Sequence, residues 1–526
     1  MKSTNPLILT FDCGTQSTRA LLFDKQGTLI GKSQVRFDRP YFSPKPGWAE
    51  QDPNFYYEKI CESAQLLWLS HAEYWPQIIG VTITVMRDTY VCLDAQRNPL
   101  RPAILWVDQR LASLHNLPLK PSSAALFHLT GMSDCIETLR RQGKSNWLIE
   151  HEPEIWTNTD KYVLLSAYLT YRLTGVLVDS VAAQIGHIPF DYKRKKWYSE
   201  KHYKFGIFSI DPHKLPELKE PGEILGNINE QTARDSKIPM GLPLIATGSD
   251  KGCETVGCGC IHEDEANLSF GTTSTIQWML RRYIEPQTFL PSYPAPVAGF
   301  YNPEIQLFRG YWMLSWFKKE FAEKEEKEAK KLGVSAEELL NKRLQEIPPG
   351  SDGLMLQPYW APGIKSPEAK GMVLGFNDVH TRIHIYRAII EGINYGLRDG
   401  LTNVEKRIGT KVKRLTVSGG GAISDIICQI TANMFGLPVR RVQTYETSGL
   451  GSSLVGFLGL NEFESYEEAI ESMIHHDIEF TPEPETFRIY DDLFQKVYRK
   501  IYHRLKPLYR EIRNINEHFF EKEEDE

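Results

Sequence analysis

Apolar runs that stop on short polar turns dominate the pattern of this chain. The first run starts at Leu7 and ends on Asp12; Gly14, Thr15, Gln16, Ser17 and Thr18 form a polar turn, and a second run begins after Arg19. Short apolar stretches on either side of a glycine turn predict strand, turn, strand. Residues 28–37 extend this to a third strand. A Pro- and Gly-rich stretch, PYFSPKPGWAEQDP, then interrupts regular structure and leaves Trp48 on an irregular segment that is free to face a ligand. Asp52 and Pro53 predict a helix start, since proline in the first turn loses no hydrogen bond and aspartate caps; the helix runs through Tyr56, Ile60, Ala64 and Leu67.

Further on, residues 78–84 and 90–93 read as buried strands separated by the polar segment MRDT, so Arg87 and Asp88 are charged groups between apolar elements. They either satisfy each other or bind a substrate. RPAILWVDQR places Trp106 and Asp108 just past a short strand, an aromatic plane beside a carboxylate of the kind that seats a polyol. Residues 122–220 are mostly helical in pattern, and the basic run DYKRKKWYSE reads as a solvated face. GLPLIATG is a strand that delivers Asp250 to the start of a helix, DKGCETVG. There the macrodipole favours an ionised carboxylate, able either to cap the helix or to accept a proton from a bound hydroxyl.

Residues 266–280 repeat the opening logic, with Gly271, Thr272 and Thr273 at the turn between two strands. Two such hairpins predict a duplicated architecture clamping a nucleotide, with the hinge near residue 248. A strand at residues 415–418 leads into Gly419, Gly420, Gly421 and Ala422, which are expected to open a helix and to let adenosine lie against backbone. KEEKEAKK is an exposed helix face, residues 446–460 a small-residue helix, and the chain from about residue 471 amphipathic helix with an acidic tail.

Length and composition narrow the classes. A chain of 526 residues suits about two to four domains. With 41% hydrophobic and 24% charged residues it has material for sizeable cores. A net charge of −6 disfavours nucleic acid and anionic membranes as partners. No run approaches the ~18 apolar residues of a membrane span, and the opening MKSTNPLILTFD reaches Asp12 too soon for a secretory signal, so a cytoplasmic protein is expected. Eight cysteines are too sparse for a disulfide scaffold; Cys253, Cys258 and Cys260 crowd together but read as small apolar residues rather than a metal site.

In order along the chain, DCGTQSTRALLFD, PGWAEQDP, RPAILWVDQR, GSDKG, SFGTTST, GGGAISDIICQITANMFGLPV and ETSGLGSS resemble the FGGY family of carbohydrate kinases. The likeness covers nearly everything from Leu7 to about Leu460. Ser145 in KSNWLIEHEP and Phe376 in GMVLGFNDVHTRIHIYRAIIE depart from the family pattern without touching its chemistry. The resemblance implies an α/β fold of two actin- and hexokinase-like (ribonuclease H-like) domains around a central cleft. The expected division is 1–248, carrying sugar binding and the first phosphate hairpin, 249–470, binding nucleotide, and a C-terminal helical segment, 471–526.

ATP and magnesium (Mg2+) are the implied cofactors. Asp12 would hold the metal; Gly14, Thr15, Gln16, Ser17, Thr18, Gly271, Thr272 and Thr273 would bind phosphates; Gly419, Gly420, Gly421 and Ala422 would contact adenosine. Asp250 corresponds to the general base, and Trp48, Arg87, Asp88, Trp106 and Asp108 to substrate positions. The expected partner is a small polyhydroxy substrate, with room for a homodimer. A ketopentose such as xylulose ranks first; Arg87-Asp88 is similar to the Arg-Glu pair of glycerol kinases, and RGYWMLSWF with EIPPGSDGLM to the autoinducer-2 kinase branch. An actin-like sugar sensor without kinase activity is the rival from another class, against which the carboxylate at Asp250 argues. A dehydrogenase is weaker, because GGGAIS lacks the spacing of a dinucleotide fingerprint.

Overall fold

The computed structural model describes residues 5–288, 290–360 and 368–520; the acidic end of the tail, 521–526, and the end of the Pro/Gly loop, 361–367, lie outside the described residues. The described residues build two six-stranded sheets, with smaller sheets beside them. In the first, β1 (Leu7–Cys13), β2 (Ser17–Asp24) and β3 (Leu29–Arg36) form an antiparallel meander. β4 (Ile78–Val85) lies parallel to β1, β6 (Pro243–Ile245) parallel to β4, and β5 (Ile224–Asn227) antiparallel to β6 at the edge.

The second sheet repeats the plan. β7 (Glu265–Phe270), β8 (Ser274–Gln277) and β9 (Glu304–Leu307) are the meander; β10 (Arg414–Ser418) runs parallel to β7, β11 (Val439–Val442) parallel to β10, and β12 (His476–Phe480) closes the edge antiparallel. The duplication expected from the two hairpins therefore extends through each sheet. One strand departs from expectation: β12 lies in the segment read as helix from residue 471. An open sheet edge at β11 offers unpaired backbone groups, and pairing there outweighs the weak helical pattern of HDIEF.

Period-two alternation sorts β1 between two cores. Leu7, Leu9 and Phe11 join Tyr56, Ile60, Ala64 and Leu67 of α1 (Pro53–His71) and Leu169 and Leu173 of α2 (Leu165–Thr174). The expected cap of α1 is present, with the Asp52 carboxylate accepting from the Asn54 N–H. Ile8, Leu21 and Phe23 point the other way, onto Leu450, Leu454 and Phe457 of α6 (Thr447–Gly459). Full burial of each such side chain stabilises by about 1.5–3 kcal/mol. α6 comes late in the chain yet covers the first sheet, so the two halves are tied together at the centre.

There α6 crosses α3 (Asp250–Gly257) backbone to backbone. A Cβ on Gly257 would sit 2.0 Å from the Thr447 carbonyl oxygen, and one on Gly451 1.9 Å from that of Cys253. Over the second sheet, Leu268 and Phe270 pack with Ile389 and Ile393 of α4 (Arg382–Ile408) and Ile427 and Ile430 of α5 (Asp425–Phe435). α7 (Arg499–Phe520) follows an aromatic stack in which Tyr395 lies 6.1 Å from Phe494 and 5.1 Å from Tyr498.

Candidate active site

Parallel strands of one sheet start and stop at common levels, so residues just past their C-terminal ends come together. Asp12 sits at the end of β1, Arg87 and Asp88 follow β4, and Asp250 follows β6. Val85 bridges Ser249 in parallel, which sets Arg87 beside Asp250. In the second sheet the same end carries Gly271 after β7 and Gly419 after β10. Asp12, Arg87, Asp88 and Asp250 thus gather at one end of the first sheet, and Gly271 and Gly419 at the matching end of the second.

Asp12 is buried. Its carboxylate takes a 2.8 Å ion pair from Arg19, its cross-strand partner in the hairpin, and Arg19 also lies 3.5 Å from Glu446 at the start of α6. Lys32 bonds the other oxygen of Glu446. Burial pushes the Asp12 pKa up to about 6; Arg19 opposes this, while Asp250 and Glu446 add to it. A buried carboxylate with acidic neighbours and a single adjacent guanidinium is under-neutralised, which suits a divalent cation. Among the described residues no group of three or more His, Cys, Asp or Glu could hold a metal by itself. Mg2+ takes one or two carboxylates and completes its shell with water and phosphate.

Asp250 opens α3, where Ser249 supplies the cap by accepting from the Gly252 N–H. A third of its side chain is exposed, and its Oδ1 lies 3.9 Å from Arg87 Nε. The two remaining nitrogens of that guanidinium reach across the cleft in a forked pair, each 3.1 Å from an oxygen of Glu304 on β9. Next along α3, Lys251 bonds Glu254 at 2.8 Å and the Ser269 hydroxyl at 2.6 Å. Burial would lower its pKa, but Glu254 and Asp250 outweigh that and hold it above the ordinary lysine value.

Just past β4, Asp88 adopts φ 53°, in the left-handed region that aspartate tolerates. Its carboxylate accepts from the His187 backbone N–H at 3.0 Å, lies 3.1 Å from His187 Nδ1 and bonds the Tyr90 hydroxyl. Burial would raise its pKa, yet His187 and Tyr90 hold it below the usual carboxylate value. Trp106 is 38% exposed, and its indole N–H donates to the Thr15 hydroxyl at 2.8 Å, joining the first turn to the loop after Ile104. Asp108 and Trp48 are placed differently from the expected open polyol seat. The Asp108 side chain is fully buried and bonded to Arg110, Lys144 and the Ala49 N–H, while Trp48 packs edge-on against Trp147 with the Arg110 guanidinium 3.9 Å from its ring centre. Both brace the loop that carries Trp106.

Within the first turn the groups also divide. Gly14 N–H closes the turn onto the Ser17 carbonyl, the Gln16 carbonyl accepts from Phe37 N–H, and Ser17 Oγ accepts from Gln34. Thr18 is buried with its hydroxyl on Cys13 Sγ, turned away from the tip. In the second turn Thr272 is exposed, and the Gly271 and Thr272 carbonyls bond Tyr311 and Trp312 N–H groups. A Cβ on Gly271 would lie 3.6 Å from Lys251 Nζ.

At the third turn Gly419 has φ 80° and would press a Cβ to 2.9 Å from Phe270 backbone, so only glycine fits. Gly421 and Ala422 are buried and Gly420 faces open space. These residues form a short 3-10 turn rather than the first turn of α5, which starts at Asp425 behind its Ser424 cap. Cys253, Cys258 and Cys260 are free and buried; burial pushes the Cys253 thiol up to about 11. Arg19, His187, Lys251, Glu304 and Glu446 stand beside the expected site residues and add to their charge network. Lys251 and Glu446 stand inside the motifs GSDKG and ETSGLGSS, whereas an inward acid on β9 carries no motif.

Two duplicated halves that bring glycine turns together with carboxylates at a strand end and a helix start have the layout of an actin-like nucleotide-binding fold. The FGGY N-terminal domain model matches residues 7–257 and the C-terminal domain model residues 266–460; the chain belongs to the FGGY family of carbohydrate kinases. It is a sugar kinase with an alcohol group as acceptor, and ATP and Mg2+ are the cofactors of that family. A xylulose kinase of Lactococcus lactis subsp. lactis is 27% identical over 520 residues, covering 97% of this chain and 99% of that protein. A gluconokinase of Bacillus licheniformis is 26% identical over 495 residues, covering 92% and 94%. The crystal structure of xylulose kinase from Rhodospirillum rubrum superposes with a TM-score of 0.80 at 24% identity, covering 96% and 100%. Among the described residues no helix is long and apolar enough to cross a membrane.

Proposed function

We propose that the chain transfers the γ-phosphate of ATP to a hydroxyl of an uncharged ketose, with a ketopentose such as xylulose first in line. Charge carries this reading. Among the described residues, the Arg and Lys side chains named above already face carboxylates: Arg87 has Glu304, Arg110 and Lys144 have Asp108, and Lys251 has Glu254. An aldonate would bring a further negative charge into a site whose cations are spent, at a desolvation cost with no return. A neutral ketose needs only hydrogen bonds and the exposed face of Trp106.

Asp250 is the proposed base. Placed at the start of α3, it accepts the proton of the attacking hydroxyl, which is thereby aimed in line at the γ-phosphorus. Asp12 is the proposed ligand for Mg2+, which when bound neutralises charge on the phosphate oxygens. Amides and hydroxyls of the turns at Gly14 to Ser17 and at Gly271 to Thr273 would hold the phosphates, and Gly420 the adenosine side. Thr15 ties the first turn to the loop that carries Trp106, its hydroxyl accepting from the indole N–H and donating to Met86 Sδ. Closure of the halves excludes water and limits wasteful hydrolysis of ATP.

A coupled ADP-release assay over xylulose, ribulose, glycerol, gluconate and autoinducer-2 tests the substrate. The expected order puts a neutral ketopentose highest in kcat/KM and gluconate lowest. Preference for gluconate would overturn the charge argument, and preference for glycerol would move the chain to the polyol branch.

A further inference from the structure

The forked pair between Arg87 and Glu304 leaves Arg87 poorly placed to grip a sugar. Its two terminal nitrogens are committed to Glu304, and only Nε is turned toward Asp250. Glu304 is 1% exposed, so its charge has no water to fall back on and needs that guanidinium. Gln306 donates to one of its oxygens, and the Tyr293 ring centre lies 5.6 Å from the guanidinium carbon. Arg87 belongs to the first sheet's strand ends and Glu304 to β9 of the second, so the pair exists only while the two halves are together.

We propose that Glu304 is a positioning residue for phosphoryl transfer: by clamping Arg87 from the opposite half of the molecule it fixes the guanidinium against Asp250, so that the base is set in place by closure of the cleft. This rests on the reading of Asp250 as base. Neutral Gln at position 304 keeps the shape and one acceptor oxygen but loses the second charge-assisted bond, and Arg87 is then free to turn fully onto Asp250 or into the sugar space. Either movement misaligns the base without removing any atom that touches nucleotide.

Glu304→Gln is expected to lower kcat by about ten-fold or more, as misplacement near the chemistry does, and to leave the KM for ATP within about two-fold. Glu304→Asp, which retains the charge, recovers part of the loss. In an Arg87→Gln background the same Glu304→Gln change has little further effect, because the clamp has nothing to hold. Small-angle scattering supplies a readout without turnover: Mg2+ with a non-hydrolysable ATP analogue contracts the native protein and contracts Glu304→Gln less. Thermal melts and circular dichroism exclude misfolding, and should Glu304→Gln misfold, the Glu304→Asp and double variants carry the test. An unchanged kcat, or equal losses with and without Arg87, would overturn the proposal. Full activity in Asp250→Asn would instead overturn the base, while leaving the difference in contraction intact.

Discussion

Replacing Gly451 by alanine tests whether the helix crossing between the halves sets the geometry of the cleft. The new Cβ would lie 1.9 Å from the Cys253 carbonyl oxygen, 2.6 Å from Gly257 N and 2.9 Å from the Cys253 carbonyl carbon, whereas ordinary contact starts at 3.4 Å. All three neighbours are backbone, so no rotamer change relieves the clash, and α3 and α6 must part by about 1.5 Å. Overpacking of this kind costs about 1–3 kcal/mol, here expected at the upper end. The movement has a second consequence, because α3 carries Asp250 in its first turn and α6 begins beside Glu446, which faces Arg19 and through it Asp12. A misplacement of about 1 Å can cost a reaction some 10²-fold, so kcat is expected to fall by about that factor. Urea unfolding followed by fluorescence reads the stability loss, and coupled ADP release on the preferred sugar reads kcat. Gly206→Ala is the control, since a Cβ there meets only Leu119 at an ordinary 3.5 Å. If Gly451→Ala unfolds at the native urea midpoint and turns over at the native rate, the crossing does not hold the cleft.

Asp250→Asn is expected to keep the fold and lower sugar-dependent kcat by about 10²–10⁴-fold, with full ADP release refuting its role as base. Asp12 has its folded pKa raised from 3.8 to about 6. The raised value means that its charged form costs stability above that pH, by about 3 kcal/mol at most, and that the cost vanishes below the unfolded value. Asp12→Asn should therefore be more stable than the native protein at pH 8, equal to it near pH 4, and inactive; chemical denaturation across pH checks the sign. Asp108→Asn breaks a buried pair and is expected to lose about 3–5 kcal/mol of stability, measured by urea unfolding. Trp106→Ala, at a half-exposed ring, should instead raise the KM for the sugar by about ten-fold with little change in the unfolding midpoint; the opposite pattern for these two would exchange their roles.

Much of the fold is legible along the chain because its information is local. Apolar runs ending on Asp12 and on Gly271 specify two hairpins, Asp52-Pro53 specifies a helix start, and the short strand β6 leads through Gly248 to Asp250 at the start of a helix. The ordered motifs carry the family, and their repetition carries the duplicated sheet, since each depends on periodicity and turn chemistry within a few residues. Other features have no local signature. HDIEF becomes the edge strand β12 only because β11 offers an unpaired edge, and the Gly-rich turn forms a 3-10 turn ahead of α5, with Gly419 held against Phe270 backbone. Trp48 and Asp108 carry the composition of a sugar site, yet Arg110 and Lys144 fold over and consume the carboxylate. That α6 packs on the first sheet, that Glu304 reaches Arg87, and that Asp12 shares its surroundings with Glu446 all depend on segments separated by more than two hundred residues in sequence. Sequence by itself determined the hairpins, the carboxylate at the helix start and the family; the tertiary structure decided which charges meet, because burial and Coulomb energies depend on distances in space that no local pattern encodes.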